Sequence, residues 1–358
     1  MKVLLVCGVF DDSNPRPSGY MNKFKKSLDE HFCDITMING GKFSDLPEII
    51  QTVKDYDIVF WFVDVDNSNE KIRNVKEINP KCMLVTTKRN DNGKYEFKEL
   101  INRALLQKSN LVCEFRKDHD GIIHMRVFDP LGVIWCDFTS DIQTGVNALC
   151  ERLLFLTTVK RQGTIGINEE KEVPDNPEFY KLIRDYAEIF HNLINPAEGV
   201  QRFLGNASFR CLRGFPSFRH GDIIYVSKRN VNKKYIDKEG FIATYMDENE
   251  NIYYYGQNKP SVDTPIQLRL YKILPDVNYM LHAHVYIKDA PFTQTPIPCG
   301  GLEEVEEIMK ALKKIGKTSN ISINLIGHGS IILAKDLSYM KDINYIQRPI
   351  PEILDKTK

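Results

Sequence analysis

The chain has no run of about eighteen apolar residues, the length a helix needs to cross a bilayer, so no segment reads as a membrane span. It carries no net charge. Lys plus Arg and Asp plus Glu are 48 each, which argues against a globally basic surface built for nucleic acid. None of its eight cysteines forms a CxxC pair. Most sit in apolar stretches such as LLVC and VIWC, so buried thiols and a cytoplasmic location are expected rather than a disulfide framework. Neither GxGxxG nor GxxxxGK(S/T) is present, and there is no internal repeat or low-complexity tract. The opening MKVLLVCGVF is short and runs straight into DDSNPRPSG without a small-residue cleavage site, so it reads as a buried strand rather than a leader.

What is present is the composition of a globular protein: 358 residues, 42% hydrophobic and 27% charged. At roughly 100–200 residues per domain, that length predicts two domains. Strand-like runs at 3–10, 57–65, 81–87 and 110–115 alternate with amphipathic, helix-like stretches at 20–31, 46–56 and 97–106. This alternation predicts a flavodoxin- or Rossmann-like, doubly wound sheet over residues 1–160. A hairpin at 123–138 and a long helix at 143–160 complete it. Residues 161–177, polar and bearing Gly and Pro, read as a linker, and 178–358 as a second α/β domain. Strands are expected there near 208–212, 221–226, 241–245, 252–255, 279–285 and 321–326, with helices at 264–272 and 302–315.

In the first domain the long loop 11–20 follows the first strand. Ser18-Gly19 opens a helix, and the plainer reading of Ser18 is an N-cap on a surface loop; the alternative is a phosphate at the helix N-terminus. In the second domain His282 and His284 sit two apart at the end of a strand-like run, so both imidazoles point to one face. His328 lies between two glycines that permit a tight turn. Three imidazoles with an open position describe a catalytic divalent metal, zinc above all. Small polar residues in GNASFR (205–210) and KPSVDTP (259–265) suit an anion pocket, and Asp263 lies one helix upstream of the histidines. His31, His119, His124, His191 and His220 have no partner pattern. Lys228-Arg229 and Lys233-Lys234 read as a solvated basic face, Tyr253–Tyr255 as strand packing, and Cys299 as structural.

The order GNASFR, KPSVDTPIQLRLY, PDVNYMLHAH, IPCG and HG resembles the class II aldolase/adducin superfamily over residues 178–345, in the branch of L-fuculose-1-phosphate aldolase and L-ribulose-5-phosphate 4-epimerase. The resemblance implies zinc at His282, His284 and His328. It implies a proton-moving or fourth-ligand carboxylate at Asp263, with Asp rather than Glu as in the epimerase. It also implies a phosphate cradle from Asn206, Ser227, Lys228, Arg229 and Ser261, where SKRN replaces a glycine-bearing turn. Two departures stand out. The family's acid-bearing loop after Gly300 is replaced by an immediate helix, and no tyrosine matches its catalytic tail, although Tyr339 and Tyr345 remain. The implied activity is a retro-aldol lyase or an epimerase acting on a small phosphorylated sugar through a metal-stabilised enediolate, in a homo-oligomer, tetrameric in the family, with no nucleic-acid or membrane partner. Its rivals are a non-catalytic adducin-like interaction module, and a nucleotide-binding role for the first domain with the aldolase-like half processing its product.

Overall fold

The computed structural model describes residues 1–64, 74–194, 205–210 and 223–354. They form two units, Met1–Thr158 with Ile350–Lys358, and Val159–Pro349.

The first unit begins with β1 (Lys2–Phe10), α1 (Gly19–Leu28), β2 (Asp34–Gly41), α2 (Leu46–Thr52), β3 (Ile58–Asp64), α3 (Val75–Ile78), β4 (Met83–Arg89), α4 (Phe97–Leu106) and β5 (Leu111–Lys117). It continues through β6 (Ile123–Phe128), β7 (Val133–Thr139) and α5 (Ile142–Thr158). β2, β1, β3, β4 and β5 are parallel neighbours in that order, with β6 and β7 added antiparallel. This is the doubly wound flavodoxin order expected from the strand–helix alternation. β1 and β3 read as continuous apolar runs because both sheet faces are covered. On one face Phe24 of α1 meets Phe60 and Phe62 of β3 and Phe115 of β5 at ring-centroid distances of 6.0, 5.5 and 6.5 Å, all edge-on. Such pairs add about 0.5–1.5 kcal/mol each beyond the area they bury. β2 has no counterpart among the expected strands: DITMINGG is a half-buried edge strand with little apolar content.

The second unit begins with β8 (Ile165–Ile167), α6 (Pro177–Ile194), β9 (Gly205–Arg210), β10 (Ile224–Ser227), β11 (Phe241–Met246), β12 (Ile252–Tyr255) and α7 (Thr264–Ile273). β13 (Tyr279–Ala283), β14 (Tyr286–Ile287), α8 (Glu303–Ile315), β15 (Ile321–Leu325), β16 (Gly329–Ala334) and β17 (Tyr345–Ile346) follow. Its sheet runs β15-β16-β13-β9-β10-β11-β12-β8, antiparallel except for the last pair, with β14 and β17 pairing separately. Phe179, Tyr180, Ile183, Tyr186 and Phe190 recur at helical spacing along α6 and pack on one face of the sheet. α7 and α8 cover the other through Leu268, Leu270, Tyr271, Ile308 and Leu312. Of the strands expected at 208–212 and 221–226, residues 211–212 and 221–222 lie outside the described residues, as does residue 65 of the 57–65 run.

Two expected boundaries move. Residues 161–177 are not a linker: β8 extends the second sheet beside β12, and the Lys160 backbone already bonds to Leu302 and to the Glu303 carboxylate. The second domain does not run to the end of the chain either. β18 (Glu352–Ile353) pairs in parallel with β7 and belongs to the first unit.

Candidate metal centre

His282 is the penultimate residue of β13, which lies between β9 and β16. Both neighbouring strands approach it closely through glycine. A Cβ on Gly205 would fall 2.3 Å from the His282 carbonyl oxygen, and one on Gly329 would fall 2.0 Å from that of Ala283. His284 follows the strand, and His328 occupies the turn between β15 and β16. The three rings converge, with centroids 5.1 Å apart for His282–His284, 4.7 Å for His282–His328 and 4.9 Å for His284–His328. One ring nitrogen from each lies within 4.8 Å of the other two.

The remaining nitrogens decide how the triad is presented. His282 Nδ1 lies 2.9 Å from the Ser330 carbonyl, to which it donates, leaving Nε2 with its lone pair. His328 Nδ1 lies 2.8 Å from Glu304 Oε1 and donates to it in the same way. His282 Nε2 and His284 Nδ1 are buried without a hydrogen-bond partner. Buried polar atoms rarely stay unpaired in a folded protein. Two orphaned imidazole nitrogens in a three-histidine cluster, with a carbonyl and a carboxylate behind it, therefore fit a divalent metal site. Burial and the neighbouring His328 hold His282 and His284 well below the usual imidazole range. Burial opposes protonation of His328 too, but Cys299 and Glu304 outweigh it and hold it well above that range. Cys299 Sγ lies 3.1 Å from His328 Nε2, so this thiol adjoins the cluster.

Asp263, the residue before α7, is buried. Its Oδ2 accepts from Asn206 Nδ2 at 2.7 Å and its Oδ1 from the Gly300 N–H at 3.0 Å. Asn206 Oδ1 in turn accepts from Gln267 Nε2. Burial raises the Asp263 carboxyl above the usual carboxylate range, against the pull of His328, Gly300, Asn206 and Arg229. Asn206 faces His282 in the β9–β13 register. Ser227 ends β10, fully buried, and its Oγ accepts from the Ala207 N–H at 3.2 Å. Segments 227–229 and 259–261 run side by side: Ser261 N donates to Ser227 O at 3.2 Å, and Arg229 Nε to Pro260 O at 3.3 Å. Asn206, Ser227, Arg229 and Ser261 are thus brought into one neighbourhood with Asp263. Lys228 lines a separate groove with Glu170, Glu172 and Glu239.

Several site residues carry no signal in the sequence. Lys233 is only 5% exposed, and burial lowers its ammonium to about 8 although Asp263 opposes the shift. Its charge also acts on His282 and His284. Glu304 comes from the helix that replaces the expected acid-bearing loop. Arg348 donates to the Gly327 carbonyl at 3.0 Å beneath the His328 turn. Tyr345 is a core residue, packed edge-on against Tyr186 and Phe190, and Tyr339 bonds to Ser322.

Residues 185–288 match the family model described as the Class II Aldolase and Adducin N-terminal domain. The second unit carries a class II aldolase/adducin domain. The matched segment contains His282, His284, Asp263, β9 and β10, while His328 and Glu304 lie beyond it. Solved structures similar to parts of the chain include the N-terminal class II aldolase domain of a conserved protein from Thermoplasma acidophilum (17% identical, covering 49% of this chain and 91% of that one, TM-score 0.32). Another is YgbL, a putative aldolase/epimerase/decarboxylase from Klebsiella pneumoniae (12%, 46% and 83%, 0.28). A third is a DNA/pantothenate metabolism flavoprotein from Streptococcus pneumoniae (13%, 44% and 99%, 0.35). No curated protein matches the chain. Among the described residues, no helix is long and apolar enough to cross a membrane.

Proposed function

We propose that the aldolase-type domain is a divalent-metal-dependent enzyme, a carbon–carbon lyase or a sugar-phosphate epimerase, acting on a small phosphorylated hydroxy-carbonyl compound. The observation that carries this reading is the pair of orphaned nitrogens on His282 and His284 beside His328. An all-imidazole set suits zinc. The ion would supply Lewis acidity toward a substrate carbonyl. Ser330 and Glu304 accept from Nδ1 of His282 and His328, which turns each Nε2 toward the cluster; His328 would release its Nε2 proton when the ion binds. Asp263 and Lys233, a buried carboxyl and ammonium beside the triad, exchange the proton that the reaction moves; their shifted acidities suit that work. They take the place of the family's missing acid loop. Ser227, Ser261, Arg229 and Asn206 hold the substrate's phosphate, Arg229 by its fork of donors. A homo-oligomer is proposed with this reading.

The test uses zinc-loaded full-length protein and a panel of four- to six-carbon ketose 1-phosphates and pentulose 5-phosphates. Aldehyde release and epimerised product are both assayed. The expected result is turnover of at least one substrate, lost in His282→Ala/His284→Ala and in Asp263→Asn. No turnover by protein that holds its metal would overturn the enzyme reading and favour an adducin-like interaction module.

A further inference from the structure

The first unit has a cleft of about 670 Å³ that the aldolase-type chemistry does not use. It opens at the carboxyl ends of β1, β3, β4 and β5, with Gly8, Phe62, Thr87 and Phe115 in its floor and walls. β1 has β2 on one side and β3 on the other, so the chain reverses its direction of travel across the sheet there. Such switch points are where open parallel sheets leave a crevice for ligands. The volume lies within the usual range for small-molecule sites.

The lining is strongly one-signed. Arg16, Lys88, Arg89, Arg103, Arg116 and Lys117 contribute cations, and Asp91 is the one acid among the lining residues. Asp91 is taken up by Arg89 at 2.5 Å, and Arg116 is paired with Glu114 at 2.9 Å. Lys88 lies 4.1 Å from the centroid of the Tyr95 ring, and neither it nor Lys117 forms an ion pair among the described residues. A concave site with low-dielectric walls focuses such a field on an anion.

The lining also carries the aromatic rings of Tyr20, Phe62 and Phe115, and among them one unmet polar atom. Tyr20 packs edge-on against Phe115 at 5.5 Å, and Phe62 packs against Phe115 at 6.0 Å. The Tyr20 hydroxyl is buried with no hydrogen-bond partner. The loop bearing Arg16 and Ser18 is fixed in place: Asn39 accepts from the Ser18 N–H at 2.7 Å and donates to its carbonyl at 3.1 Å, and Val9 and Arg16 exchange backbone hydrogen bonds. Ser18 caps α1, whose N-terminus faces the same cleft. The site is therefore preformed, with a cationic rim, an aromatic wall and a hydroxyl awaiting a partner.

We propose that this cleft binds a nucleotide, with its phosphates at the Lys88–Lys117 rim and its base against the Tyr20–Phe62–Phe115 wall. An inorganic polyphosphate would satisfy the rim but not the wall. The experiment is isothermal titration calorimetry of the full-length chain with the four ribonucleoside triphosphates, flavin mononucleotide and inorganic pyrophosphate. The variants are Lys88→Glu/Lys117→Glu and His282→Ala/His284→Ala. The expected result is saturable binding of one nucleotide per chain, tighter than pyrophosphate. It weakens about tenfold or more in the double charge reversal and is unchanged in the histidine variant. Should the charge reversal fail to fold, Lys117→Gln at the exposed rim position is expected to weaken binding severalfold. No saturable binding up to roughly millimolar ligand would overturn the proposal. So would pyrophosphate binding as tightly as any nucleotide, or a folded Lys88→Glu/Lys117→Glu chain that binds like wild type.

Discussion

Glu304 Oε1 lies 2.8 Å from His328 Nδ1, and both side chains are almost wholly buried. This contact exists because α8 starts directly after Gly300-Gly301. The short connection removes a loop expected from the family and brings a carboxylate behind the third histidine. Such a partner fixes the ring's tautomer and raises its basicity as a ligand.

The first prediction follows from that pair. Glu304→Ala should lower zinc affinity about 10- to 100-fold, as loss of a carboxylate behind a ligating histidine does elsewhere. Glu304→Gln keeps an acceptor oxygen and should lose less. Competition against a chromophoric chelator measures both; equal affinity in all three proteins would contradict the role given to Glu304.

Gly329 provides a second prediction, because it removes no ligand. Gly329→Ala places a methyl group 2.0 Å from the Ala283 carbonyl oxygen, so β16 must move away from β13. Gly316 also has a positive φ, 72°, but caps α8 in open space. Gly316→Ala should cost about 1 kcal/mol and leave metal binding intact. Gly329→Ala should cost more than about 2 kcal/mol and strip the metal. Denaturation midpoints and metal content separate the two; similar effects would show that the close approach is not what holds the triad.

Lys233 gives a pH dependence with a definite sign. Its ammonium falls from the usual 10.5 to about 8 in the folded state. Below about pH 8 the group is charged in both states, and the cost of burying the charge is fully present. Between about 8 and 10.5 the folded protein has released a proton that the unfolded chain keeps, so this cost fades as pH rises. Lys233→Met should therefore stabilise the protein at pH 7, by at most roughly 3 kcal/mol. The gain over wild type should shrink by pH 10. An equal gain at both pH values would mean that Lys233 is not titrating as described.

Much of this is legible in the sequence, for physical reasons that also explain the rest. His282 and His284 can be paired from the two-residue period of a strand, and β1 and β3 announce themselves as strands buried on both faces. β8 reads as part of a linker because IGI is three residues long and gains its strand character only from β12. Lys233 and Lys234 look alike in sequence, yet Lys234 pairs with Glu188 at 2.9 Å while Lys233 is turned inward toward Asp263. Nothing in a KK dipeptide distinguishes those fates. Glu304 sits in an acidic first turn, LEEVEE, where a helix dipole alone accounts for the charge. Only the tertiary contact with His328 assigns it to the site.

The most direct test of the account is the metal content of full-length protein purified without a metal-binding tag, measured by inductively coupled plasma mass spectrometry beside His282→Ala/His284→Ala. The account predicts close to one divalent ion per wild-type chain and none in the variant. A folded wild-type protein that holds no ion, even after zinc is offered, would contradict it.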